Sequence, residues 1–112
     1  MINIIYVGLG GFIGASSRYL ISIAFTKSEF ATFLANVIGC FLIGIILTKV
    51  ENQALKLFLV TGFLGGLTTF STFSLETFRL IENGMFFKAA IYSFGSLSVG
   101  LFALFLGLSF FK

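Results

Sequence analysis

Apolar residues run along this chain in four long stretches, which short polar segments separate. The stretches cover about residues 2–25, 30–48, 54–80 and 85–110. A helix needs about 20 mostly apolar residues to cross a lipid bilayer. The pattern therefore predicts an all-α integral membrane protein with four membrane-spanning helices, and the bilayer as its solvent.

The third stretch does not fit one continuous helix. Residues 61–69 place three glycines and three threonines at mid-membrane depth, and the chain has no proline. Glycine weakens a helix by about 1 kcal/mol relative to alanine. Non-helical backbone at that depth must be buried in protein or line a wet cavity, because lipid cannot hydrogen-bond it. We predict that the third helix is broken near residues 62–69, resumes near Phe70 and carries function at the break.

The composition narrows the class of protein. Of the 112 residues, 58% are hydrophobic and 10% are charged, whereas a soluble domain carries about 25% charged residues. Four spans leave no room for a soluble domain, so we expect one domain over residues 1–112. The single cysteine and the absence of histidine exclude most metal clusters and cysteine–histidine sites. No nucleophile–base pair is visible, which makes an enzyme the least favoured class.

The charges argue against nucleic acid and bear on orientation. The seven basic residues are scattered singly, whereas a phosphate-binding surface needs them clustered. With both termini and the second loop on one side, three of them lie there and four lie opposite (Lys49, Lys56 and Lys112 against Arg18, Lys27, Arg79 and Lys88). The positive-inside rule needs an excess. The balance favours an antiparallel, dual-topology dimer, and one orientation set by other signals is the alternative.

Two polar residues stand inside the first two spans. Gly10, Gly14 and Arg18 are four apart and share one helix face, where small residues let backbones approach closely. Arg18 either reaches the headgroups or attracts anions into a vestibule. Asn36 cannot face lipid without leaving its amide unsatisfied. It either joins two helices or donates to a passing anion, and both alternatives stay open.

Aromatic and hydroxyl side chains follow the predicted break. Phe70 and Phe73 are three apart and share a helix face. A phenyl ring has a positive edge that can favour a small anion, although most such pairs lie in the core or face lipid. In the fourth span Tyr92, Ser96 and Gly100 are four apart and form a thin polar stripe. Neutral donors on several helices suit a small, strongly hydrated anion.

Three segments of the chain resemble the Fluc/CrcB fluoride channels in order and spacing: residues 10–19, 36–44 and 62–76. The resemblance covers essentially the whole chain. It implies an antiparallel homodimer with two pores in the cell membrane of a prokaryote. It also implies passive export of fluoride that has entered the cytoplasm as its neutral acid. A structural, untransported Na⁺ is implied at the dimer centre, bound by the main-chain carbonyls of Gly65 and Thr68.

The same resemblance implies roles for the polar and aromatic residues. Phe70 and Phe73 match the phenyl pair that lines the pore, and Asn36 matches the polar pore residue of the second helix. Tyr92 and Ser96 match the hydroxyl track of the fourth helix. Ser71 and Thr72 are expected to add donors beside the rings. One departure is visible, since Gly100 stands where some members carry another serine of that track.

Two other functions compete with a homodimeric fluoride channel. The first is a subunit that works only beside a close paralogue, which loss of Asn36, Phe70 or Phe73 would have suggested; all three are present. The second is a small multidrug-type exporter, which needs a membrane-embedded carboxylate that can titrate. The first three spans offer none before Glu76, so this alternative is disfavoured.

Overall fold

Four helical spans make up the chain in a computed structural model, which describes residues 1–110. They are α1 (Ile2–Ala24), α2 (Ser28–Lys49), a third span (Gln53–Glu82) and a final helix (Phe86–Phe110). All four are long and apolar enough to cross a membrane. The predicted all-α, four-span fold is confirmed. Lys112, one of the basic residues weighed for orientation, lies outside the described part of the chain.

The third span consists of several segments. These are α3 (Gln53–Lys56), a π-helical segment (Leu57–Leu64), α4 (Gly65–Leu67) and α5 (Phe70–Glu82), so the final helix is α6. The backbone is extended at Thr68, with ψ 154°, and at Thr69, with φ −148° and ψ 123°. The interruption is therefore confirmed, but it is narrower than the predicted 62–69. The glycines stay helical, and only two threonines leave the helix.

Two of the three glycines of the third span, Gly62 and Gly66, pack closely against α1. A Cβ atom on Gly62 would lie 2.7 Å from the carbonyl oxygen of Val7, and one on Gly66 would lie 2.6 Å from that of Gly11. On the facing helix, a Cβ on Gly14 would lie 2.9 Å from the backbone nitrogen of Leu67. Real Cβ atoms do not approach so closely, so the two backbones touch. Such contacts are typical of helix packing in membranes.

A second pair of helices is joined in the same way. α2 packs mainly on α6, and a Cβ on Gly44 would lie 2.5 Å from the carbonyl oxygen of Leu104. The few buried apolar residues are mostly small, including Ala31, Ala35 and Ala103, while many phenylalanines are exposed. Small residues inside and large apolar residues outside are expected where lipid is the solvent.

The connection between α5 and α6 requires a glycine. Gly84 has φ 77°, a conformation that only glycine adopts without strain. Its N–H donates to Ile81 O at 3.0 Å, and the N–H of Met85 donates to Leu80 O at 2.8 Å. These two bonds form a Schellman motif. They satisfy the last carbonyls of α5 and turn the chain into the final span.

Candidate functional site

The break in the third span is held by one side chain of α2. The N–H of Thr69 donates to Oδ1 of Asn36 at 2.7 Å, and Nδ2 of Asn36 donates to Thr69 O at 3.1 Å. The amide thereby replaces the hydrogen-bond partners that Thr69 would have in a continuous helix. Asn36 joins two helices, which is one of the two alternatives that its sequence position left open.

A groove of about 330 Å³ lies beside this break. It contains four of the residues predicted to line a pore, together with both threonines of the break and two apolar neighbours: Asn36, Phe70, Phe73, Ser96, Thr68, Thr69, Cys40 and Leu97. No charged side chain is among them. Asn36 therefore lines the groove while it holds the break, and its donation to an anion stays a prediction.

Ser96 differs from the other polar groups of the groove. Its Oγ is buried and has no hydrogen-bond partner within residues 1–110. An unpaired buried hydroxyl costs about 1–3 kcal/mol, so such groups call for a ligand or water. Gly100 lies one turn further along α6, and a Cβ there would lie 3.3 Å from Sγ of Cys40. A serine at position 100 would therefore bring its Cβ close to the side chain of Cys40.

Three aromatic rings form a row at the groove. The ring centroids of Phe70 and Phe73 are 6.0 Å apart, and those of Phe73 and Tyr92 are 5.2 Å apart. These are favourable separations for aromatic pairs. Phe70 is 79% exposed in the single chain. The two predicted phenyl rings therefore contact each other, and the ring of Phe70 is largely exposed in the single chain.

Tyr92 does not line the groove but connects it to a buried carboxylate. Its hydroxyl donates to Oε1 of Glu76 at 2.7 Å, while the hydroxyl of Thr32 donates to Oε2 at 3.1 Å. Glu76 is only 4% exposed. Sequence reasoning weighed Glu76 only against an exporter and did not consider Thr32. The available signal was a carboxylate three residues after Phe73, on the same helix face.

A second cavity of about 90 Å³ also borders Thr69. Its lining is polar and includes opposite charges: Arg18, Glu76, Ser22, Ser28, Thr32, Thr69, Thr72 and Ala31. Nε of Arg18 donates to the carbonyl oxygen of Gly66 at 3.0 Å. Thr72 thus belongs to this cavity rather than to the groove. Ser71 is exposed, with Oγ 3.4 Å from Oγ1 of Thr69, and lines neither cavity.

A profile of the family described as "CrcB-like protein, Camphor Resistance (CrcB)" matches residues 5–108. The chain belongs to the CrcB family. A protein of Prosthecochloris aestuarii named "Fluoride-specific ion channel FluC" is 45% identical over 115 aligned residues, covering 95% of this chain and 90% of that protein. The protein of that name from Oceanobacillus iheyensis is 44% identical, with 96% and 89% covered. One from Clostridium perfringens is 52% identical over 88 residues, with 70% and 69% covered.

Membership of the CrcB family decides the class of protein. The family comprises ion channels, so the prediction that the chain is not an enzyme is confirmed. The family and the four apolar spans also confirm a multi-pass membrane protein, with relatives from bacteria. The resemblance drawn from residues 10–19, 36–44 and 62–76 is confirmed as well.

In this CrcB chain, the break alters the hydrogen bonding of the carbonyl groups of Gly65 and Thr68. The regular helical donor to Gly65 O is the N–H of Thr69, which instead donates to Asn36. Gly65 is exposed and Thr68 is half-buried. Carbonyls of unwound backbone, such as that of Thr68, and of helix C-terminal ends, such as that of Gly65, bind Na⁺ in other membrane proteins. The donor chemistry therefore fits a sodium ion, and residues 1–110 hold no cluster of His, Cys, Asp or Glu for a metal.

Proposed function

We propose that this chain forms a passive, fluoride-selective channel that exports cytoplasmic fluoride and lowers its toxicity. The observation that carries the proposal is the groove, which brings Asn36, Phe70, Phe73 and Ser96 together without a charged lining residue. Relatives that match nearly the whole chain are named fluoride-specific ion channels. The groove supplies the path in this proposal, and the relatives supply the ion.

The chemistry of the groove suits a small, hard anion. Ser96 has a hydroxyl without a partner, and the amide of Asn36 keeps one hydrogen beyond that given to Thr69. The positive edges of Phe70 and Phe73 add weak attraction. Several weak sites can replace the water shell of fluoride, whereas one fixed positive charge would trap the ion. The absence of charge from the lining thus favours conduction over tight binding.

A second copy of the chain completes the pore in this proposal. The 79% exposure of Phe70 leaves one ring of the phenyl pair uncovered, and Gly65 is exposed at the same break. The nearly balanced basic residues favour insertion in both orientations. These features support an antiparallel pair in which the two broken helices are opposed, and two pores are what the family resemblance implies for such a pair.

The carbonyls of Gly65 and Thr68 would hold a structural Na⁺ between the two copies. Each chain offers two carbonyl ligands, so an opposed pair offers four. A bound cation would offset the repulsion between converging carbonyl oxygens. In this role Na⁺ is a resident of the assembly and is not transported.

Flux from liposomes tests the proposed ion. Purified protein in liposomes loaded with fluoride or chloride should release fluoride, measured with a fluoride electrode, and retain chloride. Release of both ions at equal rates would refute selectivity, and release of neither would refute conduction by this chain alone. In the latter case, restoration of flux by a close paralogue would establish the heterodimeric alternative.

The phenyl pair has its own test with a matched control. Phe70→Ile and Phe73→Ile should each lower fluoride flux by about tenfold or more, because each removes a ring edge from the path. Phe94→Ile is the control, since Phe94 is also a phenylalanine of high exposure, at 72%, and lies outside the groove. Equal flux in all three variants would remove the rings from the mechanism.

The sodium site is tested separately from conduction. Protein purified and assayed with a larger organic cation in place of Na⁺ should lose fluoride flux and recover it when Na⁺ is restored. Crosslinking in each medium reports whether the dimer persists. Undiminished flux after exhaustive exchange would refute the sodium site and leave the proposed channel intact.

A further inference from the structure

We propose that Arg18 is a positioning residue whose Nε–H holds the end of α4 and thereby sets the break beside the pore. This inference rests on the proposed function, because its effect is measured on fluoride flux. It gives Arg18 a structural task for one named atom, in place of the vestibule role that was one of the two alternatives its sequence position left open. The contact that motivates it joins Nε of Arg18 to the carbonyl oxygen of Gly66 over 3.0 Å.

The carbonyl of Gly66 needs a partner because of where the helix ends. In a continuous helix its donor would be the N–H of Phe70, four residues on. The extended backbone at Thr68 and Thr69 carries that N–H away from the end of α4. An unsatisfied carbonyl is costly at membrane depth. Arg18 supplies the missing donor, and its positive charge also suits the negative end of a helical run.

The packing of α1 brings the arginine to this carbonyl. Gly10 lies two turns and Gly14 one turn before Arg18 on the same face, and both contact the backbone of the third span. Gly66 itself is so close to α1 that a Cβ there would lie 2.9 Å from the backbone nitrogen of Ala15. The next turn of α1 therefore places the guanidinium against the end of α4. The two glycines thus allow the close packing that brings Arg18 to the carbonyl of Gly66.

The contact constrains the residues that matter for conduction. Gly66 lies between Gly65 and Thr68, the carbonyls proposed to bind Na⁺, and four residues before Phe70. On the other side of the break, Asn36 holds Thr69 through two hydrogen bonds. Arg18 and Asn36 thus fix the two ends of the extended segment from different helices. Loss of either contact frees the phenyl pair to move relative to the groove.

The two roles of Arg18 predict different behaviour for different variants. A vestibule arginine acts through its charge and raises the local fluoride concentration, so its loss raises the fluoride concentration for half-maximal flux. A positioning arginine acts through its Nε–H, so its loss lowers the maximal flux. Citrulline separates the two, because it keeps the Nε–H and the planar shape of arginine but carries no charge.

The test measures fluoride flux against fluoride concentration for Arg18→Gln and Arg18→citrulline in the full chain. Because Cys40 follows Gly39, a synthetic thioester of residues 1–39 can be ligated to residues 40–112, with a ligated natural chain as reference. Arg18→Gln should lower maximal flux by about tenfold or more, and half-saturation should stay within about twofold. The citrulline variant should keep maximal flux within about twofold of the reference.

The control and the opposing outcomes are separate from those of the proposed function. Arg79→Gln removes the same charge from an exposed position of α5 and should leave flux unchanged. If the citrulline variant loses flux, or if Arg18→Gln keeps it, the positioning role is wrong. If Arg18→Gln does not fold, the citrulline variant alone decides. If the ligated natural chain conducts no fluoride, the proposed function fails before Arg18 is tested.

Discussion

The groove and the second cavity both border Thr69, yet one contains charged groups that are hydrogen-bonded and the other an unpaired hydroxyl in an uncharged lining. In the second cavity both oxygens of Glu76 accept hydrogen bonds and Nε of Arg18 donates one, so its charged groups are committed to the protein. The groove contains no charge, and its Ser96 hydroxyl has no partner. The polar groups of the second cavity join helices, whereas the groove retains one hydroxyl, that of Ser96, without a partner.

The difference follows from the cost of burial. A buried charge is expensive unless it is paired or hydrogen-bonded, so Glu76 is retained here with a partner on each oxygen. A conducted ion must enter and leave again, so its sites must be individually weak. We therefore expect changes around Glu76 to affect stability first and changes in the groove to affect flux first.

The largest effect is expected from Glu76→Ala. The change leaves the hydroxyls of Tyr92 and Thr32 without their acceptor inside the bundle. Each such hydrogen bond to a charged group contributes about 1.5–3 kcal/mol, so the free energy of unfolding should fall by about 3 kcal/mol or more. Thermal unfolding in detergent measures it, and Glu82→Ala, at an exposed position of α5, is the control. Equal midpoints in the two variants would contradict a structural carboxylate.

The next effect concerns the backbone contact between α1 and the third span. In Gly14→Ala the new methyl would lie 2.9 Å from the backbone nitrogen of Leu67, so α1 and the third span must separate. Overpacking of this kind costs about 1–3 kcal/mol. Gly8→Ala is the matched control, because a Cβ there meets nothing within 4 Å, and it should stabilise α1 by about 0.5–1 kcal/mol. Comparable unfolding midpoints would show that the helices are not held by backbone contact.

A smaller effect, of opposite sign in stability and function, is expected from Ser96→Ala. The change removes a buried hydroxyl that lacks a partner, so the protein should be stabilised by up to about 1 kcal/mol. Fluoride flux should nevertheless fall severalfold, because the groove loses a donor. Ser98→Ala, at an exposed position of α6, should change neither quantity. A loss of stability in Ser96→Ala would show that the hydroxyl has a structural partner.

The smallest effect is expected at the edge of the molecule. Nζ of Lys88 lies 3.6 Å from Oε1 of Glu29, and the side chains are 45% and 26% exposed. Exposed ion pairs contribute about 0–1 kcal/mol and weaken with salt, so Lys88→Gln should shift the unfolding midpoint only slightly. Unfolding at low and high salt checks this. If Lys88→Gln shifts the unfolding midpoint as much as Glu76→Ala does, then the difference in exposure between Glu29 and Glu76 does not determine their contributions to stability.

The position of the break shows how far local sequence reasoning reaches. Glycine content predicted a weak helix over residues 62–69, and the third span is interrupted there, but Gly62, Gly65 and Gly66 remain helical. Close packing against α1 stabilises the helical backbone at Gly62 and Gly66, because only glycine fits between the two backbones there. The extended residues are instead Thr68 and Thr69, where Asn36 provides hydrogen bonds from another helix. Intrinsic propensity was overridden by tertiary contacts, which one segment cannot reveal.

The groove was more predictable than the network behind it. Lipid leaves few options for polar residues inside a span, so Asn36, Ser96 and the phenyl pair could be selected from their positions alone. Glu76 joins Thr32 over 44 residues and Tyr92 over 16. No helical spacing relates three residues on three helices. Their contact depends on how the helices pack, and that information is not contained in any one span.

The glycine contacts between α1 and the third span have a consequence for how such a chain can diverge. Where side chains separate two helices, exchanging a large residue for a small one adjusts their distance in fine steps. Here carbonyl and Cα atoms already touch at Gly10, Gly14, Gly62 and Gly66, so no intervening layer is left to trim. The distance between α1 and the third span is already at its minimum, and replacing any one of these glycines increases it abruptly. The side chains that face the groove can therefore change while the distance between α1 and the third span stays the same.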